Sequence, residues 1–271
     1  MINELKIVTG LRNNRTYLKD SFFTRPFKLA DVGLDRHDPA LYLTLMSSSP
    51  GILDGDVYDI RIHLEAGTRL EMQTQSYQRI FQMEQEAQQQ MQVVLEDGAM
   101  LSYIPHPVVP HKNSVFKAHN KISIGNNCRL MWGEIVTCGR KLSGEVFEFK
   151  LLKNLTEIYM AGKLVLKDNQ LMMPAVIPPG TMGQLEGFTH QATFIFMDTH
   201  ADAPLFEDNI RAIMAAEENI AFGITRAAGP AVVLRVLGHG GEQLYDCLQN
   251  LAGLIWRNEI TLINQNTTDE R

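Results

Sequence analysis

The chain has 271 residues, of which 45% are hydrophobic and 21% charged, a balance that excludes a disordered or collagen-like polypeptide. Its length allows one large domain or two small ones, and a chain of this size can bury roughly three quarters of its unfolded surface. Lys and Arg number 25 against 31 Asp and Glu, a net charge of −6, so neither nucleic acid nor an anionic membrane is an expected partner.

The first residues, Met1 to Val8, carry Glu4 and lack an apolar run ending in small side chains, so they do not read as a secretory signal. No stretch reaches the roughly 18–20 apolar residues of a spanning helix. The three cysteines, Cys128, Cys138 and Cys247, cannot pair completely and form no CxxC motif. They read as reduced, buried thiols, which points to the cytoplasm.

From Asp56 to about Leu166 the dominant signal is period-two alternation, the mark of strands with one buried face. Ile60, Ile62 and Leu64 alternate with Arg61 and His63; beyond Gly67, Leu70 and Met72 alternate with Arg69, Glu71 and Gln73. The phrase returns as Val93, Leu95, Gly98, Leu101 and Tyr103, and again as Ile122, Ile124, Asn127, Leu130 and Trp132. Gly and Asn accept positive φ, so each copy reads as strand, tight turn, strand. A spacing near 30 residues fits stacked repeats, each burying the face of its neighbour; three ordinary hairpins in a sandwich fit as well. The glutamine-rich stretch Gln82 to Gln92 reads as a solvated edge or loop.

After about residue 185 the pattern changes. Thr193–Met197 predicts a strand, and Asp202-Ala203-Pro204 opens a helix striped by Phe206, Ile210, Ile213 and Met214. Ile220–Thr225 and Val232–Leu237 predict short strands. A last helix runs from about Glu242 to Arg257 with Leu244, Leu248, Leu251 and Ile255 on one face, before a polar tail over Asn264 to Arg271. The fold class expected is all-β dominated, with β-helix-like stacked strand-turn-strand repeats and two C-terminal α-helices. No linker divides the chain, so 1–271 reads as a single domain, with the β stack over roughly 1–198 and a helix-containing part over roughly 199–271.

No GxSxG elbow and no SxxK motif is present. Gly238-His239-Gly240-Gly241 lacks the Lys and Ser/Thr of a P-loop and reads as a flexible helix start. Pro105-His106-Pro107-Val108-Val109-Pro110-His111 presents two imidazoles, a donor type that suits nickel, zinc and copper. An i, i+5 pair in extended chain points to opposite faces, however, so His106 and His111 read more readily as structural or exposed side chains than as ligands of one ion. Asp54-Gly55-Asp56 can hold a cation loosely or form an Asx turn. Glu134 shares the strand parity of Trp132 and points inward, where a carboxylate is costly unless paired; Arg140 is the nearest candidate partner.

These segments carry a family resemblance. Ser49-Pro50-Gly51-Ile52-Leu53-Asp54-Gly55-Asp56, Thr74-Gln75-Ser76, Pro105-His106-Pro107-Val108-Val109-Pro110, Trp132-Gly133-Glu134-Ile135 and Gly139-Arg140 resemble, in order, the motifs of the UreD family of urease accessory proteins, called UreH in some bacteria. Gly144-Glu145-Val146-Phe147, Leu164 to Asp168, Gly187 and His190 follow in the same order, so the resemblance spans nearly the whole chain. The family often has Gln or Phe where His106 and His111 stand. The resemblance implies a non-enzymatic maturation factor that binds apo-urease together with UreF- and UreG-type partners and passes on nickel, a transient cargo rather than a bound cofactor. It also implies an internal polar route whose walls are Asp54, Asp56, Thr74, Gln75, Glu134 and Arg140; His106 and His111 are metal candidates on their imidazole chemistry alone, not on the resemblance. The alternatives from other classes are a cytosolic β-helix enzyme acting on carbohydrate and a plain protein-interaction module.

Overall fold

A computed structural model describes residues 2–35, 38–200, 203–227 and 229–257. In chain order the strands are β1 (Ile2–Arg12), β2 (Arg15–Phe23), β3 (Phe27–Asp31), β4 (Leu41–Ser47), β5 (Val57–Leu64), β6 (Arg69–Thr74), β7 (Gln78–Ile80), β8 (Ala87–Leu95) and β9 (Met100–Tyr103). They continue as β10 (Val108–Pro110), β11 (Val115–Ile124), β12 (Arg129–Thr137), β13 (Leu151–Met160), β14 (Lys163–Met172) and β15 (His190–Asp198). Helix α1 (Ala203–Ala215), β16 (Ala221–Arg226), β17 (Ala231–Gly238) and helix α2 (Gly241–Trp256) complete the chain.

The strands form two facing sheets. An outer, seven-stranded sheet runs β14-β13-β11-β8-β5-β1-β2, and a middle, ten-stranded sheet follows the path β16-β17-β15-β12-β9-β6-β4-β3, with β7 and β10 beside it. The three repeated units each cross from the outer sheet to the middle one, as β5–β6, β8–β9 and β11–β12. Each arm pairs in parallel with the equivalent arm of the next unit: Ile62 with Val93 and Val93 with Ile122 in one sheet, Leu70 with Leu101 and Leu101 with Leu130 in the other. Hairpin arms would pair with each other, so the copies are stacked repeats. Their turns stack too, with the Gly67 N–H donating to Asp97 O at 3.0 Å and the Gly98 N–H to Asn126 O at 2.8 Å.

The alternation separates two kinds of strand. In β5, β8 and β11 one face is turned inward and the other meets water, whereas β12 and β15 are buried on both faces, as expected of strands covered from both sides. Odd and even residues of the middle sheet therefore serve two cores. Leu130, Trp132, Ile195 and Met197 pack against Ile62, Val93 and Ile122 of the outer sheet. Met131, Ile135, Phe194 and Phe196 pack against Phe206, Ile210, Leu244 and Leu248 of the helices. The predicted stripe of α2 is buried as expected, and all three cysteines are buried and free.

Gln88 to Gln92 depart from the expectation of a loop: they lie in β8, between β5 and β11. Parity, rather than composition, decides their state. Ala87, Met91, Val93 and Leu95 are buried while Gln90, Gln92 and Val94 are exposed. Asp202 and the tail Asn264 to Arg271 lie outside the described residues, while α1 begins at Ala203 with Pro204 in its first turn.

Two stability predictions follow from this packing. Gly67, Gly98 and Asn127 occupy equivalent turn positions with φ of 71°, 75° and 56°. A Cβ on Gly98 meets nothing closer than Gly67 Cα at 3.6 Å, so backbone strain alone penalises substitution. Gly98→Ala should cost about 1–2 kcal/mol in urea unfolding, and Gly98→Asn clearly less, since Asn already fills that position in the third unit. His190, buried at the start of β15, bonds Thr189 Oγ1 through Nδ1 at 2.8 Å. Burial, with Lys141 and His239 as neighbours, lowers its pKa from 6.5 to about 4. Between those values the unfolded chain takes up the proton that the folded protein refuses. Stability should therefore fall by up to about 3 kcal/mol as pH drops from 6.5 towards 4, and His190→Gln should flatten that part of the curve of urea midpoint against pH.

Candidate functional site

The space between the sheets is layered. Across the outer sheet, Ile7, Ile62, Val93, Ile122, Ile158 and Leu166 form one wholly apolar row. One step further from the turns, Leu5, Ile60 and Met91 give way to Asn120, Thr156 and Asp168 in the same row. The next contains Tyr58, Gln89, Ala118, Asn154 and Gln170. The middle sheet contributes a matching polar row, in which Glu134 pairs with Thr193 and Thr193 with Arg235, while Thr74, two strands from Glu134, pairs with Leu45 of the adjacent β4. The interior is thus greasy near the turns and polar towards the opposite end.

Glu134 is the centre of the polar part. Oε1 accepts from Trp132 Nε1–H at 2.8 Å, Asn120 Nδ2 at 3.2 Å and Thr156 Oγ1 at 2.5 Å. Oε2 accepts from Asn154 Nδ2 at 2.6 Å and Gln170 Nε2 at 3.4 Å. Burial raises the pKa of this carboxyl group, an effect opposed by the Thr156 and Trp132 bonds, reinforced by Asp168 and opposed by Arg235. Asp168 is itself ion-paired with Arg235, which also donates to Thr193 Oγ1 at 3.2 Å. Gln170 Nε2 lies 3.1 Å from Asp168 and 3.0 Å from Thr193 Oγ1.

Two small cavities lead to this cluster. One, of about 60 Å³, is lined by Glu134, Asn120, Asn154 and His106. The other, of about 100 Å³, is lined by Thr74, Gln75 and the Ser49-Pro50-Gly51 turn. Gln78, Gln89 and Tyr103 line both, so they are neighbours across a shared wall, and both are polar enough to hold water.

The sequence-derived site residues divide accordingly. Thr74, Gln75, Glu134 and His106 line the two cavities. His106 Nδ1 lies 3.2 Å from Thr74 Oγ1, its ring stacks on Tyr245 at 4.1 Å, and burial lowers its pKa. Asp54 and Asp56 form no Asx turn; they brace a backbone turn closed by Asp56 N–H to Leu53 O at 3.1 Å. Asp54 accepts the Glu84 and Gln85 N–H groups at 3.0 and 3.1 Å, and Asp56 accepts Leu53 N–H at 2.8 Å. His111 faces other surroundings than His106, as the i, i+5 spacing implies. It is buried edge-on to Phe81 at 4.8 Å, with Nε2 unbonded and its pKa lowered by burial. Arg140 does not reach Glu134. The chain turns outward at Gly139, φ 115°, where a Cβ would lie 2.9 Å from Pro110 O, and the exposed Arg140 guanidinium pairs with Glu145.

The partners that Glu134 does have, Asn120, Asn154, Thr156 and Gln170, went unnoticed in the sequence. Their signal is parity: each is a polar residue on the inward phase of its strand, as Asn120 is with Ile122 and Ile124. Gly240 caps α2 and Gly241 opens it, against the Tyr77 hydroxyl, so that turn is a helix start. Among the described residues no group of three or more His, Cys, Asp or Glu side chains is placed to hold a metal. Chemically, the cluster holds two carboxyl groups, Glu134 among hydrogen-bond donors and Asp168 paired with Arg235. A cation can therefore meet carboxylate, hydroxyl and amide oxygens there only by displacing existing bonds, which makes for weak contact rather than a closed cage.

The profile of the family described as UreD urease accessory protein matches residues 3–268. The urease accessory protein UreD of Flavobacterium johnsoniae is 51% identical over 271 residues, which is 99% of this chain and 98% of that protein. UreD of Acetivibrio thermocellus is 32% identical, covering 94% of this chain and 97% of its own length. The urease accessory protein UreH of Helicobacter pylori is 27% identical, covering 93% and 94%. A match of this extent identifies the chain as a member of the UreD family of urease accessory proteins.

Proposed function

We propose that this chain is a non-enzymatic maturation factor of urease, acting in the cytoplasm as a scaffold in an accessory complex with UreF- and UreG-type partners and apo-urease. Its task is to deliver nickel to the urease active site, and the ion crosses the interior of the sandwich along the polar row that ends at Glu134.

The observation that carries this reading is the pair of adjoining cavities, from Thr74 and Gln75 through Gln78 and Gln89 to Glu134. A carrier must let its cargo go. Scattered hydroxyl, amide and carboxyl oxygens bind nickel weakly and exchange it, where a Cys/His cage would retain it. A protein acting on polysaccharide would instead present two carboxyl groups to one open cleft. Here Glu134 is enclosed by neutral donors and Asp168 is paired with Arg235, which favours the accessory role. Among the described residues no helix is long and apolar enough to cross a membrane.

In cells carrying the complete urease gene set, removal of this chain should abolish both urease activity and urease-bound nickel while the urease subunits still assemble. Glu134→Gln should lower nickel delivery several-fold and leave co-purification with partners intact. Both Glu134 oxygens accept from donors, so the amide of Gln faces at least one donor and should lower stability in urea unfolding by about 1–3 kcal/mol. Delivery is therefore read alongside the urea midpoint and partner co-purification, which show the variant still folded. Unchanged urease-bound nickel in Glu134→Gln would remove Glu134 from the path.

A further inference from the structure

On the β14 side the polar interior comes within one side chain of a large surface cleft of about 540 Å³, bounded by the end of β14, the 173–189 loop and the β16–β17 pair. Gln170, Gln191 and Arg235 line it. Gln170 has one end on this cleft and the other 3.4 Å from Glu134 Oε2, and Gln191 Nε2 holds Gln170 Oε1 at 2.9 Å. Beside this amide wall stands Arg235. Its side chain is 42% exposed and that of its partner Asp168 only 11%, so the ion pair spans the boundary with the guanidinium on the cleft side.

The charges in this cluster are few. Glu134 and Asp168 supply two carboxyl groups and Arg235 one guanidinium; the other hydrogen-bonding members are amides, hydroxyls and an indole. With Glu134 ionised these three groups sum to one negative charge, and to two without Arg235; Lys153, which also lines the cavity, adds the same cation to its wall in either case. A unit charge acts on a divalent cation with twice the Coulomb energy it exerts on a monovalent one, and inside a protein that energy is poorly screened. An exposed Lys or Arg pair contributes little to folding. Arg235, by contrast, is tied at once to Asp168 and to the buried Thr193, which pairs with Glu134 across the sheet.

We infer that Arg235 is the charge-setting residue of the Glu134 cavity: it cancels Asp168 and keeps the interior attractive enough for a divalent cation to enter but too weakly charged to retain it. This rests on the reading of the interior as a nickel route. Arg235 is a positioning residue in that scheme, since it acts through the net charge around Glu134 and does not itself touch the ion. The amide wall of Gln170 and Gln191 then separates the cavity from the cleft without adding charge on either side.

The test is nickel binding to the full-length chain by equilibrium dialysis, read together with urease-bound nickel in cells carrying the complete urease gene set. Arg235→Gln should bind nickel at least about tenfold more tightly, lose that gain when combined with Glu134→Gln, and deliver less nickel. Arg235→Lys, which keeps the charge without the planar fork, should restore both affinity and delivery. Unchanged or weaker affinity in a folded Arg235→Gln would overturn the inference, while a delivery defect in Glu134→Gln alone would leave the route itself standing. If Glu134→Gln also delivers normally, the route fails first. Should Arg235→Gln not fold, Asp168→Asn provides the opposite charge change: nickel affinity should drop by a similar factor, and an unchanged affinity there overturns the proposal equally.

Discussion

A carboxyl group lifted out of water between two sheets has to be answered by whatever lies within reach, and in this protein that demand organises the interior. Left alone, a buried carboxylate costs several kcal/mol. Here β11, β13 and β14 each turn an amide or hydroxyl towards Glu134, and the indole of Trp132, two residues before it on β12, donates as well. Removing the acid would leave a set of donors without an acceptor, and removing a donor would leave the acid less satisfied. Such a network holds its members in place together rather than one by one.

The network is possible because the strands are in register. Parallel pairing brings Asn120 beside Thr156, and the β13–β14 hairpin continues the row to Asp168. In the middle sheet the same step brings Glu134 beside Thr193 and Arg235. The apolar row through Ile62, Val93 and Ile122 fixes this alignment, since a slip by one residue would turn every inward side chain to solvent. The greasy end of the sandwich thus positions the polar end, and packing at the turns is felt at Glu134.

Much of this was legible in the sequence, and the reasons for the rest are physical. The repeats could be read because their period of two and their turn residues are local signals: Leu64, Gly67 and Leu70 announce a unit by themselves. The inward aim of Glu134 followed from its parity with Trp132. Its partners did not, because they reside on β11, β13 and β14, and the register that joins those strands is a tertiary property. Composition misled over the second half of the glutamine-rich stretch, Gln88 to Gln92, where outward glutamines mask the buried Ala87 and Met91 of β8. Proximity in sequence misled over Arg140, because Gly139 redirects the chain before the guanidinium can turn inward.

The stacked units also set a length scale for the interior. Thr74 lies on β6 and Glu134 on β12, with β9 between them. Neighbouring strands are spaced by about 4.8 Å, so the two residues stand roughly 10 Å apart along the sheet. Adding or removing one strand-turn-strand unit would move them by one such increment and by nothing smaller. The internal distance between the two cavities is therefore a whole number of strands, which evolution can change only in steps, whereas the width of each cavity varies freely with its side chains.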